Sequence, residues 1–128
     1  MSYSNQKVVG VWMDHKSASL ISTLDKGAIG EFSIQEKIQN KHHSDHGSNE
    51  SVHNHKMSNE MHKYFEDVSK HLTEYDSILL FGHGIAQEQL HNFLKDHKSF
   101  RGKEILVKPG GRMTDHEVIA FVRNTYKV

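Results

Sequence analysis

Two hydrophobic periodicities follow one another along this chain, and their order leaves few folds open. Lys7 to Met13 (Lys-Val-Val-Gly-Val-Trp-Met) is apolar on both faces, which predicts a central strand covered from both sides. Asp14-His15-Lys16-Ser17 then reads as a tight turn and Ala18 to Leu24 as a second strand. Asp25-Lys26-Gly27 reads as a second turn, with its glycine placed for positive φ. Ala28 to Gln35 alternates, with Ala28, Gly30, Phe32 and Ile34 on one side and Glu31, Ser33 and Gln35 on the other. That alternation predicts an edge strand with one wet face, open to dimerisation although nothing demands it.

Helical spacing takes over at Met57, Met61, Tyr64, Phe65, Val68 and Leu72, with Lys63, Glu66, Asp67 and Lys70 opposite. Ser77 to Phe81 predicts a short buried strand that ends at Gly82-His83-Gly84. A second helix, from about Ile85 to His97, carries Ala86, Leu90, Phe93 and Leu94 as its apolar stripe. Lys103 to Lys108 predicts a fifth strand, broken by Pro109-Gly110-Gly111. The last helix begins at Thr114, which forms a capping box with Glu117, while Met113 and Val118 are spaced as a hydrophobic staple.

The order β-β-β-α-β-α-β-α predicts a single α/β domain over residues 1–128. Its expected form is ribonuclease-H-like, a five-stranded mixed sheet with helices on both faces. In such sheets function gathers where the strand order switches, near the C-terminal end of the first strand. Asp14, His83 and Asp115, at the start of the last helix, are expected to converge on that sheet edge.

Residues 36–56 interrupt this pattern with a strongly polar, His-rich loop. Of 12 histidines in the chain, five stand there: His42, His43, His46, His53 and His55. Together with Asp45 they are candidate ligands for zinc or nickel, although their spacing matches no defined finger and no cofactor is required. The same imidazoles are candidates for contacts with RNA phosphates and bases. The absence of cysteine rules out disulfides, a thiolate nucleophile and a cysteine-based zinc site.

Sixteen basic and sixteen acidic residues cancel, so no net field drives binding to phosphate backbones at pH 7, and DNA is not an expected partner. Positive charge is concentrated locally at Lys95, Lys98, Arg101, Lys103, Lys108 and Arg112, a patch suited to RNA phosphates. There is no signal-peptide apolar region and no run of membrane-spanning length, which predicts a cytoplasmic protein without membrane contact.

Ile78-Leu79-Leu80-Phe81-Gly82-His83-Gly84-Ile85-Ala86-Gln87-Glu88-Gln89-Leu90 resembles a stretch of the middle domain of archaeal and eukaryotic peptide-chain release factors and Pelota. It matches the strand, Gly-rich turn and helix there. Met113-Thr114-Asp115-His116-Glu117-Val118-Ile119-Ala120-Phe121-Val122 resembles the closing helix of small stand-alone bacterial proteins related to that domain. The resemblance covers residues 7–126. Release factors carry a Gly-Gly-Gln tripeptide in the loop equivalent to residues 36–56. Here that loop holds only Gly47, followed by Ser48 and Asn49, and Gly110-Gly111 is followed by Arg112.

The resemblance therefore implies a non-catalytic module of the translation machinery, bound to the ribosome or tRNA as Pelota is to the ribosome. The expected contacts are His42, His43, His46, His53, His55, Lys98, Arg101, Lys108 and Arg112. Two other classes stand beside it. One is a metal-dependent nuclease using Asp14 with Asp115 or Glu117. Against it, the fourth strand ends without a carboxylate, Asp14 suits a turn, and Glu117 has a capping task. The other is a metal-binding protein built on the His-rich loop. The oligomeric state is not written in the sequence.

Overall fold

The structure, a computed structural model, describes residues 3–41 and 59–127. Strands β1 (Val8–Met13), β2 (Ser17–Ser22) and β3 (Ser33–Gln39) come first, followed by helix α1 (Asn59–Lys70) and β4 (Ser77–Gly82). Helix α2 (Ala86–Lys95), a 3-10 turn (Lys98–Phe100), β5 (Glu104–Pro109) and helix α3 (Asp115–Thr125) complete the chain. The strands form one mixed sheet in the order β3-β2-β1-β4-β5. β1, β2 and β3 are an antiparallel meander, and β4 and β5 continue from β1 in parallel. This is the arrangement expected from the element order.

β1 and β4 sit at the middle because they are apolar on both faces. Every residue of Ser77–Gly82 is buried, and β1 leaves only Trp12 partly open. On one face, Val9, Val11, Met13, Ile78 and Leu80 pack against Tyr64, Phe65, Val68 and Leu72 of the α1 region and Leu90 and Leu94 of α2. On the other, Val8, Leu79 and Phe81 pack under Val118, Val122 and Tyr126 of the α3 region. Gly10 lets α3 approach this closely, since a Cβ there would collide with the methyl groups of Val122. The last helix starts as read: Thr114 Oγ1 accepts from Glu117 N at 3.2 Å, and Glu117 Oε1 accepts from Thr114 N at 2.8 Å.

The second hairpin departs from expectation. β3 runs from Ser33 to Gln39 rather than from Ala28 to Gln35, so residues 36–39, read as the start of the loop, are strand, and Ala28 and Phe32 are buried from within the connection. Positive φ falls on Lys26 (70°), not on Gly27. Asp25 explains the turn, because its Oδ1 accepts from Gly27 N at 3.0 Å and from Thr23 Oγ1 at 3.0 Å. These bonds hold the Asp25 carboxyl below its ordinary pKa, Gly27 first and then Thr23. A β-bulge at Leu20/Ile21 then reverses the facing of β3. Ile34 consequently packs with the α3 cluster and Ile38 with the α1–α2 cluster, though an unbroken strand would put both on one side.

Candidate nucleic-acid interface

Four chain segments meet at the rim formed by the C-terminal ends of β1, β4 and β5, and each is held by backbone chemistry. The turn after β1 is closed by Asp14, whose Oδ1 accepts from Lys16 N at 2.8 Å and Ser17 N at 2.9 Å. The carbonyl of Asp14 accepts from the buried Tyr64 hydroxyl at 3.0 Å, tying α1 to the turn. Burial, and secondarily the Asp14 carboxylate, push the Tyr64 phenol well above its ordinary pKa. At the end of β4, His83 N donates to Met13 O at 3.2 Å. Gly82 is required there, because any Cβ would collide with that same carbonyl.

The turn after β5 is pinned to the same point. Gly110 N and Gly111 N both donate to Gly82 O, at 3.1 and 2.9 Å, and Trp12 Nε1 donates to Gly111 O at 2.9 Å. The fourth segment is the end of β3. Asn40 Nδ2 donates to His15 O at 2.8 Å, and Asn40 N donates to Lys16 O at 2.8 Å. Asn40 Nδ2 also lies 3.6 Å from Met61 Sδ, so the first turn of α1 reaches the end of β3.

The rim gathers His83, expected there, with Lys108 and Arg112 of the expected basic patch, and adds His15, Lys16 and Lys41. Lys16, Lys41, His83, Lys108 and Arg112 are exposed, while His15 is half-buried with Nε2 at 2.9 Å from Gln89 Oε1. The basic character of Lys16 and His15 was hidden in a stretch whose composition reads simply as a turn. The strand-end position of that turn is the signal that would have found them.

Asp14 joins the rim but as a positioning group. One oxygen caps its own turn, and the other faces Arg112 Nη1 at 3.8 Å. Asp115, at the start of α3, pairs its Oδ2 with Lys37 Nζ of β3 at 3.3 Å. Among the described residues no group of three His, Asp or Glu side chains is placed to hold a metal ion.

The predicted basic patch divides. β5 is an extended strand, and its register sets Lys108 beside Phe81 at the rim and Glu104 beside Ser77 at the opposite end. Lys98 and Arg101, which precede β5, therefore lie at that far end. Lys103 is used there in structure, its Nζ donating to Thr73 O and Tyr75 O at 2.9 and 2.6 Å. His42, His43, His46, His53 and His55, and with them the zinc or nickel expectation, lie outside the described residues.

A five-stranded mixed sheet in this order, with two helices on one face and one on the other, defines an α/β domain of the ribonuclease-H-like class. Among solved structures of this class, two Pelota proteins are similar to the chain. Thermoplasma acidophilum Pelota matches with a TM-score of 0.59 and 18% identity, over 93% of this chain and 32% of that one. Archaeoglobus fulgidus Pelota, whose structure reveals inter-domain plasticity, matches with a TM-score of 0.61 and 11% identity, over 93% and 31%. The fold is thus that of a Pelota domain, in agreement with the resemblance read from the sequence. The chain spans about a third of the length of either Pelota. No protein-family profile and no curated protein matches it. Among the described residues, no helix is long and apolar enough to cross a membrane.

Proposed function

We propose that this chain is a non-catalytic, cytoplasmic binding module of the translation machinery, engaging ribosomal RNA or tRNA through the C-terminal rim of its sheet. The observation that carries this reading is the juxtaposition of Lys16, Lys41, Lys108 and Arg112 with the imidazoles of His15 and His83 on one rim. Phosphate contacts from ammonium and guanidinium groups give affinity, and the exposed imidazole of His83 adds a hydrogen bond or stacks on an unpaired base. The likeness to Pelota over nearly the whole chain supports the choice of a ribosomal partner over other polyanions.

Several rim residues are better suited to holding a surface than to cleaving a bond. Asp14 spends one oxygen on its turn and faces Arg112 with the other. The Gly82 carbonyl takes two N–H groups from the β5 turn, which fixes that surface in advance of binding. Co-sedimentation with ribosomes at physiological salt tests the proposal. Pelleting that is lost on replacing Lys16 and Arg112 together by Ala supports it. Protein that stays in the supernatant at every salt concentration overturns it.

A further inference from the structure

Among the described residues the sheet ends on two edge strands, β3 and β5, and they are built differently. β3 carries a bulge, exposes Glu36 and Lys37, and engages Lys37 with Asp115. Bulges and charges are the devices by which an edge avoids pairing with another chain. β5 has no bulge in its pairing with β4, and its centre is Ile105-Leu106-Val107. Ile105 and Val107 pack on the α1–α2 side and Leu106 on the α3 side, yet all three stay partly open because no strand among the described residues lies beyond them.

We propose that β5 is a self-pairing edge: two copies of this chain join their β5 strands antiparallel about a two-fold axis through Leu106, making one continuous sheet. The sequence of the strand, Glu-Ile-Leu-Val-Lys-Pro, is complementary to itself in that register alone. Leu106 meets Leu106, Ile105 meets Val107 twice, and Glu104 meets Lys108 twice, so every cross-strand pair is apolar with apolar or acid with base. Moving the axis to Ile105 opposes Glu104 to Leu106, and moving it to Val107 opposes Lys108 to Leu106. Tyr3 and Ser77 hold Glu104 in place by donating to its Oε1 at 3.0 and 2.7 Å, which leaves Oε2 for the ammonium of Lys108 of the second copy. Pro109 closes the pairing stretch, having no N–H to add. With so short a strand on each side the interface is small, and the dimer forms only at high concentration.

Sedimentation equilibrium of the full chain, from about 1 µM to about 1 mM, reads this directly. The expected mass rises from 14.7 kDa toward twice that value. Leu106→Lys sets two ammonium groups against each other on the axis, and Lys108→Glu sets carboxylate against carboxylate twice. Each raises the dissociation constant at least about tenfold; Lys108→Glu leaves the melting temperature unchanged, while Leu106→Lys lowers it by giving up the packing of Leu106 on the α3 side. Hydrogen exchange of the unsubstituted chain gives a second readout should either variant fail to fold. On concentration, the outward-facing amides of Glu104–Lys108 slow and those of Ser33–Gln39 do not. A single-chain mass at every concentration overturns the proposal. So does self-association unmoved by both substitutions, or protection that appears on β3 in place of β5.

Discussion

The phenol of Tyr64 on α1 donates to the backbone carbonyl of Asp14 at 3.0 Å, joining the first helix to the turn that forms one side of the basic rim. Tyr64→Phe removes that donor and leaves a buried carbonyl without it. The expected cost is about 1 kcal/mol, or about 4 °C in melting temperature for a domain of this size. Because the bond spans helix and rim, hydrogen exchange at the amides of Lys16 and Ser17, both held by Asp14, should quicken more than exchange in β4.

The same tyrosine predicts the alkaline limit of the fold. Burial raises the phenol pKa of Tyr64 and of Tyr126, with Ser77 partly opposing the shift at Tyr126. In the unfolded chain both ionise near pH 10, while in the folded chain they keep their protons. The folded state thus binds more protons above pH 10, and stability falls as pH rises. Their stabilising contribution is complete below pH 10 and declines at about 1.4 kcal/mol per pH unit for each phenol once the unfolded chain ionises. Denaturant unfolding at pH 9, 10 and 11 should show this decline, and Tyr126→Phe should make it less steep. A profile unchanged by the substitution would contradict this origin.

Gly10 and Val122 form a second coupled pair, because Val122 lies directly over the Gly10 Cα. Gly10→Ala should cost about 1–3 kcal/mol by overpacking. Val122→Ala alone should also destabilise, by opening space under α3. The double variant should be less destabilised than the sum of the two, since the smaller side chain makes room for the added methyl. An additive cycle by denaturant unfolding would mean that α3 shifts as a unit instead.

Much of this fold was readable because its determinants are local. The capping box of Thr114 and Glu117, the wholly apolar β4 and the Asp14 turn each depend on residues a few positions apart. β3 was displaced because Ala28 and Phe32 imitate strand alternation while packing from a connection shaped by Asp25 and Thr23. A bulge then puts Ile34 and Ile38 on opposite faces, and no period in the sequence encodes that reversal. The rim was legible in Asp14 and His83, since strand ends can be read from where apolar runs stop. The separation of Lys98 and Arg101 from Lys108 was not, because closeness in sequence across an extended strand becomes distance in space.

That separation supplies the sharpest test of the proposed interface. If the rim binds RNA, Lys16→Ala and Arg112→Ala should each weaken binding of ribosomes or tRNA and lower the slope of log affinity against log salt by about one. Lys98→Ala and Arg101→Ala, at the far end of β5, should leave affinity and slope as they are. All four side chains are exposed, so none of these substitutions should move the melting temperature by more than that expected of a surface change, about 0.5 kcal/mol in stability. Arg112→Ala also frees the second oxygen of Asp14, a like-charge neighbour for any incoming phosphate. Its effect should therefore exceed that of Lys16→Ala, and Asp14→Asn in the Arg112→Ala background should recover part of the loss. Equal losses at both ends of β5 would show that binding follows overall charge and not the geometry of the rim.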